Sequence, residues 1–335
     1  MIEFIFTIDY EIFGNGLGSL RELVYEPSER LLNIFTKNHT PLVFFIEVAE
    51  LEMIEKADSD PAIKQVKKQI NQIRKNGLEI GLHIHPQWYG AKFKEGRWVL
   101  NFEEYNLCLL SEDRINEVVM RAINYLRYVI DDFSFSPVSF RAGNWLMTPT
   151  ERISRVLSRA GLKIDSSVFK GGYQSLHGLD YRRAPASLYY WQFSHDVNSP
   201  DPAGLLLEIP IFTKMIPTWK FISGKRLDLE KKAKLNSSLK DRIAVRLRDF
   251  FRFKVPMKFD FCRLNYKGLV ELTETLAKED SKSPLEYKPI VLIGHTKDDP
   301  DYLTIESFLS YLKNKGITIT SFEHALKMIH QKGIK

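Results

Sequence analysis

Cysteine is scarce: Cys108 and Cys262 are the only two in 335 residues. That is too few for a disulfide scaffold and suits a reducing compartment. No apolar run approaches the roughly 20 residues needed to cross a bilayer. The opening MIEFIFTIDYE reads as a strand from its second residue, without the basic start, apolar stretch and cleavage site of a secretory signal. Internal repeats and low-complexity tracts are missing as well. These absences lead to the expectation of a cytoplasmic protein.

The remaining composition, 44% hydrophobic and 27% charged, is ordinary for a soluble globular chain. Its length suffices for one large α/β domain or two modest ones. We read 1–335 as a single domain. The net charge of +6 is uneven. Between Phe212 and Lys258 fourteen Lys or Arg face only Asp228, Glu230, Asp241 and Asp249, so the rest of the chain is slightly acidic. A local positive field of this kind attracts phosphate-bearing ligands or anionic lipid. Residues 212–262 are therefore set apart as a basic insertion.

Strand-like and helix-like segments alternate along the chain. EFIFTID, PLVFFIEVA, LEIGLHIH, PVSFRA, LKIDSSV, GLLLEIPIF, PIVLIGH and ITITS read as strands. SERLLNIFTKN with Ser28 as its cap, AIKQVKKQINQIRKNG, SEDRINEVVMRAINYLRYVI, TPTERISRVLSRAG, YKGLVELTETLAKE, TIESFLSYLKNKG and FEHALKMI read as helices. The continuous apolar runs are those of parallel strands covered on both faces. About seven strand–helix units follow, consistent with a parallel barrel or a doubly wound sheet. Gly171 to Asp201, rich in Tyr and turn residues, reads as a long loop.

Residues that break the apolar pattern fall at strand ends: Asp9 and Glu11, His83 and His85, Arg141, Asp165 and His295. In α/β barrels the carboxyl ends of strands carry the chemistry. Members of a pair spaced i, i+2 on a strand point to the same side. A carboxylate with two imidazoles leaves open metal positions for water and substrate. The spare carboxylate can serve as base and His295 as proton donor, the parts of metal-assisted hydrolysis. Each element alone also has an ordinary role, as a helix cap, a buried ion pair or a turn residue. Their joint placement favours the catalytic one.

These motifs resemble those of the polysaccharide deacetylases, the family-four carbohydrate esterases. FTIDYE is similar to the first family motif, EIGLHIH to the second, SFRAGNW to the third and LIGHT to the last, with KIDSSV and LLLEIPI between them. The resemblance implies a distorted (β/α)7 barrel. It implies Asp9 as base, Glu11 as acidic metal ligand, His83 as histidine ligand, Arg141 as positioner of Asp9 and His295 as acid. Asp165 would support the site directly or through another residue. Two departures stand out. Tyr10 occupies the place of a second aspartate, and Gln87 that of the second histidine, for which His85 would substitute with Pro86 bending the loop. The implied reaction is removal of an N-acetyl group from an amino sugar of a polysaccharide or lipid-linked glycan, with a divalent ion, Zn by preference. Rivals are another barrel metallohydrolase acting on a non-sugar amide or phosphoester, and an inactive relative that binds glycan or membrane.

Within the insertion, DRIAVRLRDFFRFKV has helical periodicity. Ile243, Leu247, Phe250 and Phe251 share one face; Arg242, Arg246 and Arg252 take the other. Such a helix either packs on the barrel or lies in a membrane interface. Peripheral association of 242–254 with the anionic inner face of a membrane is the corresponding expectation. No nucleic-acid motif accompanies the charge, so no nucleic acid is expected.

Overall fold

The computed structural model describes residues 1–217 and 254–332. The basic amphipathic segment lies outside the described residues, except that Lys254 begins a strand.

The main sheet has nine strands: β1 (Ile2–Tyr10), β2 (Val43–Glu47), β3 (Glu79–Ile84), β4 (Ser139–Ala142), β5 (Ile164–Asp165), β6 (Trp191–Phe193), β7 (Leu206–Glu208), β8 (Lys288–His295) and β9 (Thr318–Thr320). Their order is β6-β7-β5-β4-β3-β2-β1-β8, with β9 beside the first half of β1. All pairings are parallel except β6 with β7. The sheet curls until Ile211 bridges Phe169 on one side and Val291 of β8 on the other. This is the expected α/β barrel, distorted where regular ladders give way to single bridges.

Helices α1 (Glu26–Lys37), α2 (Val48–Ala57), α3 (Ile63–Lys75), α4 (Glu112–Ile130), α5 (Glu151–Arg159), α6 (Tyr266–Asp280), α7 (Tyr302–Asn314) and α8 (Phe322–Lys332) accompany the sheet. Ile63, Val66, Ile70 and Ile73 of α3 are buried at i, i+3, i+4 spacing, which turns its lysines outward. Ser111 caps α4 by accepting a hydrogen bond from the Arg114 amide. Gly77, just past α3, has φ +74, the left-handed turn that ends a helix.

Three expectations need correction. A turn of π-helix, Arg21–Tyr25, leads into α1, so Ser28 is a buried helical residue and not its cap. PLVFFIEVA ends as a strand at Glu47, whose side chain accepts from the Glu50 amide and starts α2. The stretch 171–201 is not all loop, since Tyr173–Gln174 pairs with Leu179–Asp180 and β6 closes the sheet edge.

Alternation along β1 sets up the site. Phe6 meets Phe35 of α1 and Phe308 of α7, and the Tyr10 hydroxyl donates to Gln69 of α3 at 2.6 Å. Those residues therefore face the helices. Thr7 and Asp9 face the barrel interior, where one guanidinium nitrogen reaches both. Among the described residues no helix is long and apolar enough to cross a membrane.

Candidate active site

The ends of β1, β3, β4 and β8 converge on one buried cluster. Arg141 is fully buried, with Nη1 2.5 Å from Asp9 Oδ1 and 3.0 Å from Thr7 Oγ1. Its Nε donates to the Ser166 carbonyl, and its guanidinium lies 4.1 Å from the centre of the Phe45 ring. Gly81 makes room for that ring, because a Cβ there would come within 2.6 Å of Phe45. Burial raises the Asp9 pKa, but Arg141, His295 and His83 outweigh it and hold the carboxyl below its ordinary value. Asp9 is therefore ionised, as a base must be.

Glu11, the second residue beyond Asp9, faces the two imidazoles. Glu11 Oε2 is 3.5 Å from His83 Nε2 and 3.0 Å from His85 Nε2. The three residues can offer ligand atoms all within 4.8 Å of one another. His83 Nδ1 lies 2.8 Å from the Arg141 carbonyl, so it donates there and Nε2 is the nitrogen turned toward Glu11. Glu11 Oε2 is buried and accepts no hydrogen bond. These donors fit a divalent cation with open positions. His85 Nδ1 is 3.2 Å from the amide groups of both Gln87 and Asn144. An amide presents either nitrogen or oxygen, so each can fix the tautomer that His85 needs.

Lys297 Nζ sits 2.7 Å from Glu11 Oε1. With His85 it drives the Glu11 carboxyl well below the ordinary range despite burial. Burial also acts on His83, in the downward direction. Glu11, Asp9 and Glu47 together override it and lift the imidazole to about 9.

On the other side of Asp9, His295 Nε2 is 3.4 Å from Asp9 Oδ2. His295 Nδ1 is 3.1 Å from Asp298, which Arg263 grips with two bonds of 2.8 Å. A histidine oriented by a carboxylate and aimed at a second carboxylate can pass a proton along that line. Trp145 stands edge-on to His295, ring centres 5.9 Å apart. It and Asn144 have φ of 59° and 53°, the left-handed region that non-glycine residues rarely occupy.

Six of the seven residues expected from sequence thus come together: Asp9, Glu11, His83, His85, Arg141 and His295. Asp165 does not join them. Arg141 bonds its neighbour Ser166, whereas Asp165 points away with alternation, accepts from Ser167 at 2.6 Å and faces Glu208, its partner in the ladder. Burial raises the pKa of both carboxyls. Asp298, Arg263, Lys297 and Asn144 were not singled out from sequence. The visible signal for Lys297, Asp298 and Asn144 was their position two or three residues beyond His295 or Arg141; Arg263, far from every motif in the chain, carried none.

No family model and no curated protein sequence matches this chain. Solved structures do. A Mycobacterium smegmatis protein provisionally described as a polysaccharide deacetylase matches with TM-score 0.54 at 15% identity, over 100% of this chain and 92% of its own. One from Pseudomonas aeruginosa PAO1 with a similar provisional description gives 0.50 at 14%, over 100% and 92%. A GH57 branching enzyme from Thermococcus kodakaraensis gives 0.55 at 11%, over 97% of this chain and 70% of its own. The likeness fixes the fold. Because deacetylase and branching-enzyme descriptions share it, the activity has to be argued from the site.

Proposed function

We propose that this protein is a metal-dependent hydrolase that removes the N-acetyl group from an amino sugar of a polysaccharide or lipid-linked glycan. Its ion would be zinc, and 1–335 would form one domain with 212–262 inserted. The observation that carries this reading is the triad Glu11, His83 and His85, with its ligand atoms within 4.8 Å, beside an Asp9 held by Arg141 and facing His295. A divalent ion bound to the triad supplies polarisation of the acetamide carbonyl and acidification of water. Asp9 takes the proton of the attacking water, and Arg141 fixes the carboxylate that does so. His295, held by Asp298, protonates the departing amine. The C–N bond breaks, giving acetate and a free amino sugar.

Metal analysis of the purified protein, with acetate release from N-acetylated sugars, tests the reading. Asp9→Asn is expected to keep the metal and lose turnover. Normal turnover in that variant rejects the assignment. A specific contact favours a second reading, an inactive glycan-binding relative: the Lys297 ammonium neutralises Glu11 without any metal. Protein that takes up no zinc and releases no acetate supports it. The glycan would be met on the cytoplasmic side, with 242–254 on anionic lipid. Liposome flotation with and without anionic lipid checks this, and absence of binding in both removes it.

A further inference from the structure

Lys258 ends the strand Lys254–Lys258, which returns the chain from the basic block into the barrel. Its Nζ lies 2.8 Å from the centre of the Trp145 ring and 4.3 Å from that of Phe169. Among the described residues it makes no hydrogen bond and no ion pair. The charges that act on it are Arg263, Asp260, Asp9 and Arg141, a mixture without a dedicated counter-ion. The rings attract this half-buried ammonium but offset only part of the cost of its lost hydration. Burial, helped by Arg263, accordingly pushes its pKa well down. An arriving anion would remove that cost.

Position says which part of a substrate the anion would belong to. Asp260, two residues on, can place an oxygen within 4.8 Å of the ligand atoms of His295 and Asp298. Trp145, against which Lys258 lies, stands edge-on to His295. Lys258 is therefore on the side where the amine departs, away from the Glu11, His83 and His85 triad where the acyl oxygen is polarised. The departing half is the sugar.

We infer that Lys258 and Trp145 form a subsite for a sugar carrying a negative charge, a carboxylate or a phosphate, next to the acetamido group. The inference rests on the deacetylase reading and narrows its substrate class. Lys258, lying over the Trp145 ring, offers a charge-assisted hydrogen bond to the anion, and the indole supplies apolar carbon beside it.

The test measures amine release from three related compounds: a neutral N-acetylglucosamine methyl glycoside, N-acetylglucosamine 1-phosphate and N-acetylglucosaminuronic acid. Native protein, Lys258→Met and Lys258→Arg are compared by the ratio of kcat/KM for each anion to that for the neutral sugar. The native ratio is expected to exceed unity by about tenfold to a hundredfold for one anion, the worth of a hydrogen bond to a charged group. It should collapse toward unity in Lys258→Met and survive in Lys258→Arg. The anion whose ratio collapses distinguishes phosphate from carboxylate. Equal use of neutral and charged sugars by the native protein overturns the inference, as does an unchanged ratio in Lys258→Met. If no compound releases amine, the deacetylase reading fails separately. Titration of the same proteins with inorganic phosphate and with glucuronate then decides: heat of binding present in the native protein and lost in Lys258→Met upholds the subsite, and equal or absent heats sink it.

Discussion

Gly143 follows β4 and lies against the end of the histidine strand. A Cβ added there would sit 2.5 Å from the Ile84 carbonyl oxygen and 2.9 Å from Cγ and Nδ1 of His85. Real Cβ atoms essentially never come nearer than 3.0 Å, so Gly143→Ala must open about 0.5 Å from the Ile84 carbonyl and about 0.1 Å from the His85 ring. The φ of Gly143 is not in the left-handed region, so the backbone itself tolerates alanine. Ile84 is held in the ladder opposite Ala142. The turn at Gly143 and Asn144 must therefore give way, and Asn144 braces Nδ1 of His85, whose Nε2 faces Glu11. Disturbing the support of a metal-binding histidine costs about 10- to 100-fold in affinity. A misplacement near 1 Å costs on the order of 10²-fold in rate. Zinc competition against a chromophoric chelator, run beside urea unfolding, reads both effects. Gly14→Ala, with nothing within 4 Å of the new methyl, is the control and should match the native protein. If Gly143→Ala binds zinc within about twofold of native while Gly14→Ala does the same, the crowding argument is wrong.

Zinc uptake should release a proton, because His83 titrates near 9 without metal. Apparent affinity then rises about tenfold per pH unit below about 9 and levels off above it, and calorimetry in two buffers of different ionisation heat reads the proton count. Without metal, the stability contributed by charged His83 is complete below its unfolded value of about 6.5 and is lost as pH rises through about 9; zero proton release would contradict both statements. Arg141→Met leaves Asp9 buried without its cation and should cost about 3–5 kcal/mol of stability in urea titration, whereas a loss under about 1 kcal/mol would mean Asp9 is held by other groups. Asp298→Asn unfastens His295 and should lower kcat by up to about 10²–10⁴-fold on an alkyl amide. The loss should be smaller on an activated aryl amide whose amine leaves without protonation, and equal losses on both would deny His295 its role as acid.

The parts of the site legible in sequence were those whose spacing obeys one strand. Asp9 precedes Glu11 by two residues and His83 precedes His85 by two, and period-two alternation carries that pattern into space. Asp165 failed for the same reason that the others succeeded. It ends a strand, but its neighbour Ser166 takes the inward position. Lys297 and Asp298 lie in a helical turn after β8, where strand periodicity no longer applies. Asn144 reaches His85 because its backbone adopts a left-handed conformation that asparagine tolerates but does not announce. The start of α2 was hidden because Val48 and Ala49 continue the apolar run of β2 while Glu47 quietly caps the helix. Ser28 misled because a polar residue before an apolar periodic run looks like a cap, and the π-turn upstream had already begun the helix.

Thr213–Pro217 and Lys254–Lys258 run side by side in an antiparallel ladder. The polypeptide thus exits the barrel and re-enters it through a single doorway, and whatever lies between is joined to the rest like a cassette on two adjacent pins. The ladder fixes both ends of that segment, pairing Thr213 with Lys258 and Pro217 with Lys254. The final pin bears Lys258, so the same ladder that fastens the segment carries at its inner end the ammonium that lies over Trp145.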